Sequence, residues 1–307
     1  MPDTGRTLLG VDFSCAPGPR KPITVAVGER RGPVLRLRGL HELRSLDDFA
    51  AFLQGGPPHG PASWLGGFDF PFGLPRLFVD ALRHNPPPNW PSLPGLDTSY
   101  PAAALCKALH ASCGDRQGLQ RLIDGWGTDW GVGTRPARLP HRRADLSLPG
   151  LSSTSPLQTR YVPVGKMYFE GMPRLLAAGA QLPGLMPPAA SPPVRIALEA
   201  YPALLAHELL GPVSYKNDAP GSPTPERLLA RLSLVDALVQ GRSRLGVRLQ
   251  ISDAVREQLA QDALGDRLDA VLCLMQAAWA DGQDAKGAPC FGLPADVDPV
   301  EGWILTA

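Results

Sequence analysis

Five stretches of the chain are apolar runs of strand length, and three of them end on an acid. They are Thr7 to Asp12 (TLLGVD), Ile23 to Val27 (ITVAV), Val34 to Leu40 (VLRLRGL), Ala62 to Asp69 (ASWLGGFD) and Val194 to Glu199 (VRIALE). Runs of this length, bounded by turn residues, predict buried β-strands. The charged turn Gly28 to Pro33 separates the second and third runs, which predicts an antiparallel meander there. Helical periodicity follows elsewhere. Ser45 is a candidate N-cap for a helix of about ten residues carrying Phe49, Ala50, Phe52 and Leu53, stopped at Gly55 and Gly56. Further helices are predicted from about Pro75 to Leu82 (with Leu77, Phe78 and Leu82 on one side), Tyr201 to Leu210, Pro225 to Val239, Ser252 to Ala260 and Leu264 to Asp281.

Between residues 85 and 193 the pattern changes. Pro-rich segments alternate with helices predicted at Ala102 to Ser112, Leu119 to Trp126 and Lys166 to Ala178, and a polar loop spans Arg135 to Thr159. The organisation expected is a core formed by 1–84 and 194–307, with 85–193 as a mostly helical insertion.

With 307 residues and 44% hydrophobic content the chain can bury a sizeable core. Gly 33 and Pro 35 make up about 22% of it, so long loops are expected between compact elements. A formal net charge of +1 leaves no global field for a polyanion, which would have to be held by a local basic patch or by metal ions. The five cysteines form no CxxC pair, which indicates neither a zinc site nor a disulfide scaffold, and no stretch has the length and apolarity of a membrane span. A cytoplasmic protein with reduced thiols is expected.

The strand-end acids carry the candidate chemistry. If the strands are parallel neighbours, Asp12, Asp69 and Glu199 converge at one sheet edge, and a helix across that edge adds Asp266 or Asp269, three residues apart and on one face. Converging carboxylates repel and need protons or hard divalent cations between them. Mg²⁺ or Mn²⁺ fits oxygen ligands of this kind, and two such ions about 4 Å apart can activate water and stabilise the leaving oxygen of a phosphodiester. Read one at a time, the same acids are ordinary turn and helix caps. Arg135, Arg138, Arg142 and Arg143, with Lys216, could contact phosphates, although basic loop residues are commonly just solvated.

The motifs GVDFS, GFDFPFGLP, LEAYP, DRLDAVLCLMQAAWA and EGWI, in this order, resemble the domain-of-unknown-function family 429, described as predicted RNase H-like nucleases. The resemblance covers roughly 1–84 and 194–305. It implies an α/β fold with an RNase H-like mixed five-stranded sheet and flanking helices. It also implies Asp12, Asp69 and Asp269 as metal ligands, Glu199 as the fifth-strand acid, and a nucleic-acid substrate, DNA or RNA. Two other readings stay open: a non-catalytic binding or scaffold protein of the same fold, and an ATP-dependent phosphotransferase. Against the last, Asp12 and Asp69 are followed by Phe13-Ser14-Cys15 and Phe70-Pro71-Phe72, with no Gly-rich phosphate cradle.

Overall fold

The computed structural model describes residues 5–56, 60–91, 95–130, 138–217 and 224–307. Its centre is a six-stranded sheet rather than the expected five. The strands are β1 (Thr7–Asp12), β2 (Ile23–Arg31), β3 (Val34–Leu43), β4 (Trp64–Phe68), β5 (Arg195–Glu199) and β6 (Arg248–Gln250), in the spatial order β5-β4-β1-β2-β3-β6. β1, β4 and β5 run parallel, and β2 runs antiparallel to both β1 and β3, as the meander predicted. β6 is the unforeseen strand. It is three residues long, pairs parallel with β3, and buries only Leu249.

Alternation along the strands divides the core into two layers. On one face Leu9, Val11, Val25, Phe68 and Ala197 meet helices α1 (Leu46–Leu53), α2 (Arg76–His84), α3 (Ala102–Cys113), α4 (Arg116–Gly125) and α6 (Val164–Ala177). The helices of the 85–193 segment therefore cover apolar surface that the sheet itself presents. In α2 the buried side is Phe78, Val79 and Leu82, while Leu77 is exposed, contrary to expectation. The motif FDFPF adds an aromatic cluster on this face, in which Phe70 lies 5.1 Å from Phe72 and 4.8 Å from Phe13 between ring centres.

On the other face Leu8, Ala26, Leu65, Ile196 and Leu198 meet α7 (Pro202–Leu210), α8 (Pro225–Val239), α9 (Asp253–Gln261) and α10 (Asp266–Ala285). The start of α1 was legible in its N-cap, since Ser45 accepts a backbone N–H from the first turn, and Ser252 caps α9 in the same way.

α10 lies directly on β1 and β4, and two glycines make this possible. A Cβ on Gly10 would sit 2.1 Å from the Ala270 carbonyl oxygen and 2.2 Å from the Leu274 nitrogen, and one on Gly67 would sit 2.7 Å from the Cys273 oxygen. Gly10 and Gly67 are register partners, so together they form a smooth track for the helix backbone. All five cysteines are unpaired, and among the described residues no helix is long and apolar enough to cross a membrane.

Candidate metal centre

The track fixes where α10 ends. Asp269 lies in its first turn, one residue before Ala270, and both strand-end acids project on the α10 side: Asp12 follows the alternation of Leu8 and Gly10, and Asp69 that of Leu65 and Gly67. One carboxylate oxygen from each of Asp12, Asp69 and Asp269 lies within 4.8 Å of the other two. Asp12 and Asp269 are buried and Asp69 is half-buried. These residues were predicted to meet, and they do.

Their electrostatics follow from that crowding. Burial, then the charges of Asp269, Asp266 and Asp69, push the Asp12 carboxyl well above the usual carboxylate range. Burial and then Asp269 raise Asp69 to about 7. Asp269 is raised by burial too, although Lys216 and Tyr215 hold it back.

Two neighbouring residues attend to Asp269. The Tyr215 hydroxyl donates to Oδ1 and the Lys216 ammonium donates to Oδ2, so both oxygens accept a bond. Desolvation lowers the Lys216 pKa, but Asp269, Asp12 and Asp69 outweigh it and hold the ammonium above its ordinary range. Gly265 makes room for this pair. It caps α10 at a φ of +77°, in the left-handed region that favours glycine, and a Cβ there would lie 3.0 Å from the Lys216 side chain. Lys216 was expected at a phosphate; here it is the counter-ion of the acids. Tyr215 was not expected at the site at all, since a lone Tyr before a lone Lys in a short polar segment gives no periodic signal.

Glu199 lines the same cleft as Asp12 and Asp69 and its charge helps raise Asp69, but it lies outside the group of three oxygens, and register explains it. It pairs with Phe68, whose side chain lies in the opposite core layer, while the residue level with Asp69 is Ala200. The Glu199 carboxylate is instead clasped by Arg142, with Nη1 to Oε2 at 2.7 Å and Nη2 to Oε1 at 2.6 Å, and Oε2 also accepts the Phe72 N–H at 2.9 Å. Burial raises the Glu199 pKa and Arg142 only partly offsets it.

The expected phosphate contact at Arg142 is corrected by the same geometry. The residue is 2% exposed, and its guanidinium also reaches Asp145 at 2.8 Å and the Glu301 carbonyl at 3.0 Å. Every donor of its fork is used internally. Asp145, unnoticed in the sequence, is fully buried; its desolvation is outweighed by Arg142 and Ser153, which hold its carboxyl below the usual range. These groups start the single-turn α5 (Arg143–Leu146), in which the Arg142 N–H donates to Asp145.

Of the other expected contacts, Arg143 is exposed, pairs with Asp296 at 2.6 Å and stacks over Trp303. Arg138 is exposed, and Arg135 lies outside the described residues. Asp266 is half-buried in the first turn of α10, near enough to raise Asp12, but it is outside the group of three oxygens.

Asp12 and Asp69 open into a cleft of about 610 Å³ whose walls include Lys21, Phe70, Arg142, Tyr161, Tyr201 and Lys216. Comparison of the chain with protein-family models, curated proteins and solved structures gives no match.

Proposed function

We propose that this chain is a metal-dependent phosphodiesterase acting on nucleic acid, built on an RNase H-like core. The observation that carries the reading is the convergence of Asp12, Asp69 and Asp269 within 4.8 Å at the carboxyl ends of two adjacent parallel strands. The strand order, with β2 antiparallel between β1 and β3 and β4 and β5 added parallel on the other side, supports the core assignment.

The residues present fit a hard divalent cation. All three offer carboxylate oxygens, the ligand type of Mg²⁺ and Mn²⁺. Among the described residues no hydrogen-bond donor to the Asp12 carboxylate is seen, although the residue is nine-tenths buried. A buried carboxylate left without donors is costly, and a cation or ordered water at the site would relieve it. When bound, such an ion polarises a phosphodiester oxygen and lowers the pKa of water.

The protein's own groups do the rest. Asp12, Asp69 and Asp269 hold the ion, and the Arg142–Glu199 pair stiffens the wall of the cleft beside them. Exposed Arg138 lies on the segment that leads into that wall and is available to a polyanion, whereas Arg143 would have to leave Asp296 to reach one. Free thiols are consistent with a reducing, cytoplasmic setting.

The Lys216–Asp269 pair favours a second reading, a non-catalytic protein in which the ammonium is the permanent counter-ion. One experiment separates the two. Purified protein is incubated with Mn²⁺ and labelled single-stranded and double-stranded DNA and RNA, beside Asp12→Asn. Cleavage that requires Mn²⁺ and falls in the variant by at least the ~100-fold that loss of a ligand's supporting partner can cost is expected. Equal cleavage by both proteins would reject the assignment, and no Mn²⁺ uptake by either would favour the binding protein.

A further inference from the structure

The number of cations the site can take follows from what surrounds the three acids. Two divalent ions side by side need enough carboxylate oxygens to hold and neutralise both. Five acids were available in the sequence, and the fold leaves Glu199 and Asp266 outside the group of three. Glu199 lies on the opposite sheet face with both oxygens engaged by Arg142 and Phe72. The Lys216 ammonium occupies Oδ2 of Asp269 and is the cation already present on that side of the cluster. Asp12, by contrast, is nine-tenths buried with no donor to its carboxylate among the described residues, and lines the same cleft.

We propose that the site binds a single divalent cation, seated on the Asp12 and Asp69 side, and that Lys216 stands in for a second ion. Three ionised carboxylates and one ammonium carry a net charge of −2, which one divalent ion cancels. A second ion would meet an ammonium that is tethered beside the acids: with two ions the cluster and Lys216 would together carry +2, against +1 once the ammonium is removed, in a largely desolvated place where charge imbalance is most costly. The expectation of two ions, drawn from the acids alone, is thereby replaced. The inference rests on the metal-dependent reading above and specifies its stoichiometry.

The test counts ions rather than turnover. Mn²⁺ bound per chain is measured by equilibrium dialysis with paramagnetic resonance of the free ion, on the full chain, at one mildly alkaline pH for all the proteins. Wild type is expected to bind one Mn²⁺. Lys216→Met, which keeps the length of the stem and removes the charge, is expected to bind the first ion about tenfold more tightly and to accept a second. Lys216→Arg keeps the charge and is expected to remain at one ion. This second variant also covers the case in which the Met protein fails to fold.

Two ions in wild type, or one ion with unchanged affinity in a folded Lys216→Met protein, would overturn the inference and leave the metal-dependent reading standing. No bound Mn²⁺ in any of the proteins would remove that reading itself.

Discussion

The repulsion among the acids makes Asp69→Asn a stability experiment with a predictable sign. Its carboxyl rises from 3.8 to about 7, through burial first and the Asp269 charge second. At ~1.4 kcal/mol for each factor of ten in acidity, holding the carboxyl that far up costs about 4 kcal/mol once the group is ionised. Asp69 is half-buried, so solvent screening brings the cost down to roughly 2 kcal/mol.

A raised acid in the folded state is neutral at low pH, and its destabilising charge appears as pH climbs from about 4, the unfolded value, to about 7. The metal-free wild type should therefore lose the Asp69 contribution to stability across that interval. Asp69→Asn should remove the loss, gaining about 2 kcal/mol at pH 8 and clearly less at pH 5. With an unfolding entropy of ~2 cal/mol/K per residue over 307 residues, the gain at pH 8 is a rise in Tm of roughly 3 °C.

The assay is thermal unfolding by circular dichroism in chelator at both pH values. The difference between the two gains is the quantity to read, because changes in packing are the same at each pH and cancel. A gain of the same size at both values would show that Asp69 is not held in a repulsive, desolvated cluster. A marked loss at both would make it a structural cap.

Two further outcomes follow from the packing. Glu199→Gln leaves the Arg142 guanidinium facing a neutral amide and should cost about 3 kcal/mol in urea unfolding, the usual penalty for breaking a buried ion pair, while leaving Mn²⁺ affinity nearly unchanged; a large fall in Mn²⁺ affinity would return Glu199 to the set of metal ligands. Gly10→Ala drives a methyl into the Ala270 and Leu274 backbone and should cost about 3 kcal/mol or more, with weakened Mn²⁺ binding because Asp269 moves with α10; a variant of wild-type stability would contradict the close packing of helix on sheet.

Local chemistry was legible where it was decided locally. Ser45 and the strand-length apolar runs announced their elements because caps and alternation act within a few residues. β6 gave no signal, since a three-residue strand with one buried side chain has no pattern to read. α5 was equally silent: four residues form it because Arg142 and Asp145 are locked to each other and to Glu199 and Glu301, partners that lie 57 and 159 residues away from Arg142 in the chain. The same distance hid the role of Arg142. Within its own loop it is one of a run of basic residues, and only the fold reveals that its neighbours are acids. Glu199 was misplaced for a subtler reason. Three apolar strands ending in acids look alike, but the face each acid takes depends on register, and pairing with Phe68 rather than with Asp69 sends Glu199 to the other side.

The site divides into parts of different stiffness, and the division bears on how it could work. Asp12 and Asp69 are fixed by the ends of central strands, and Asp269 by a helix whose backbone is pressed against Gly10 and Gly67, so the three oxygens are held by the same contacts that form the core. Moving any of them means moving buried structure, which suits a metal centre that must not reorganise when it is loaded. Lys216 is held differently. It comes from the irregular segment between α7 and α8, on a stem with four rotatable carbons, and meets Asp269 through its terminal nitrogen alone. The cluster thus joins three carboxylates of fixed position to one cation of adjustable position. Loading an ion beside Asp12 then needs only a change in where one ammonium rests, and the acids keep the spacing that the sheet gives them.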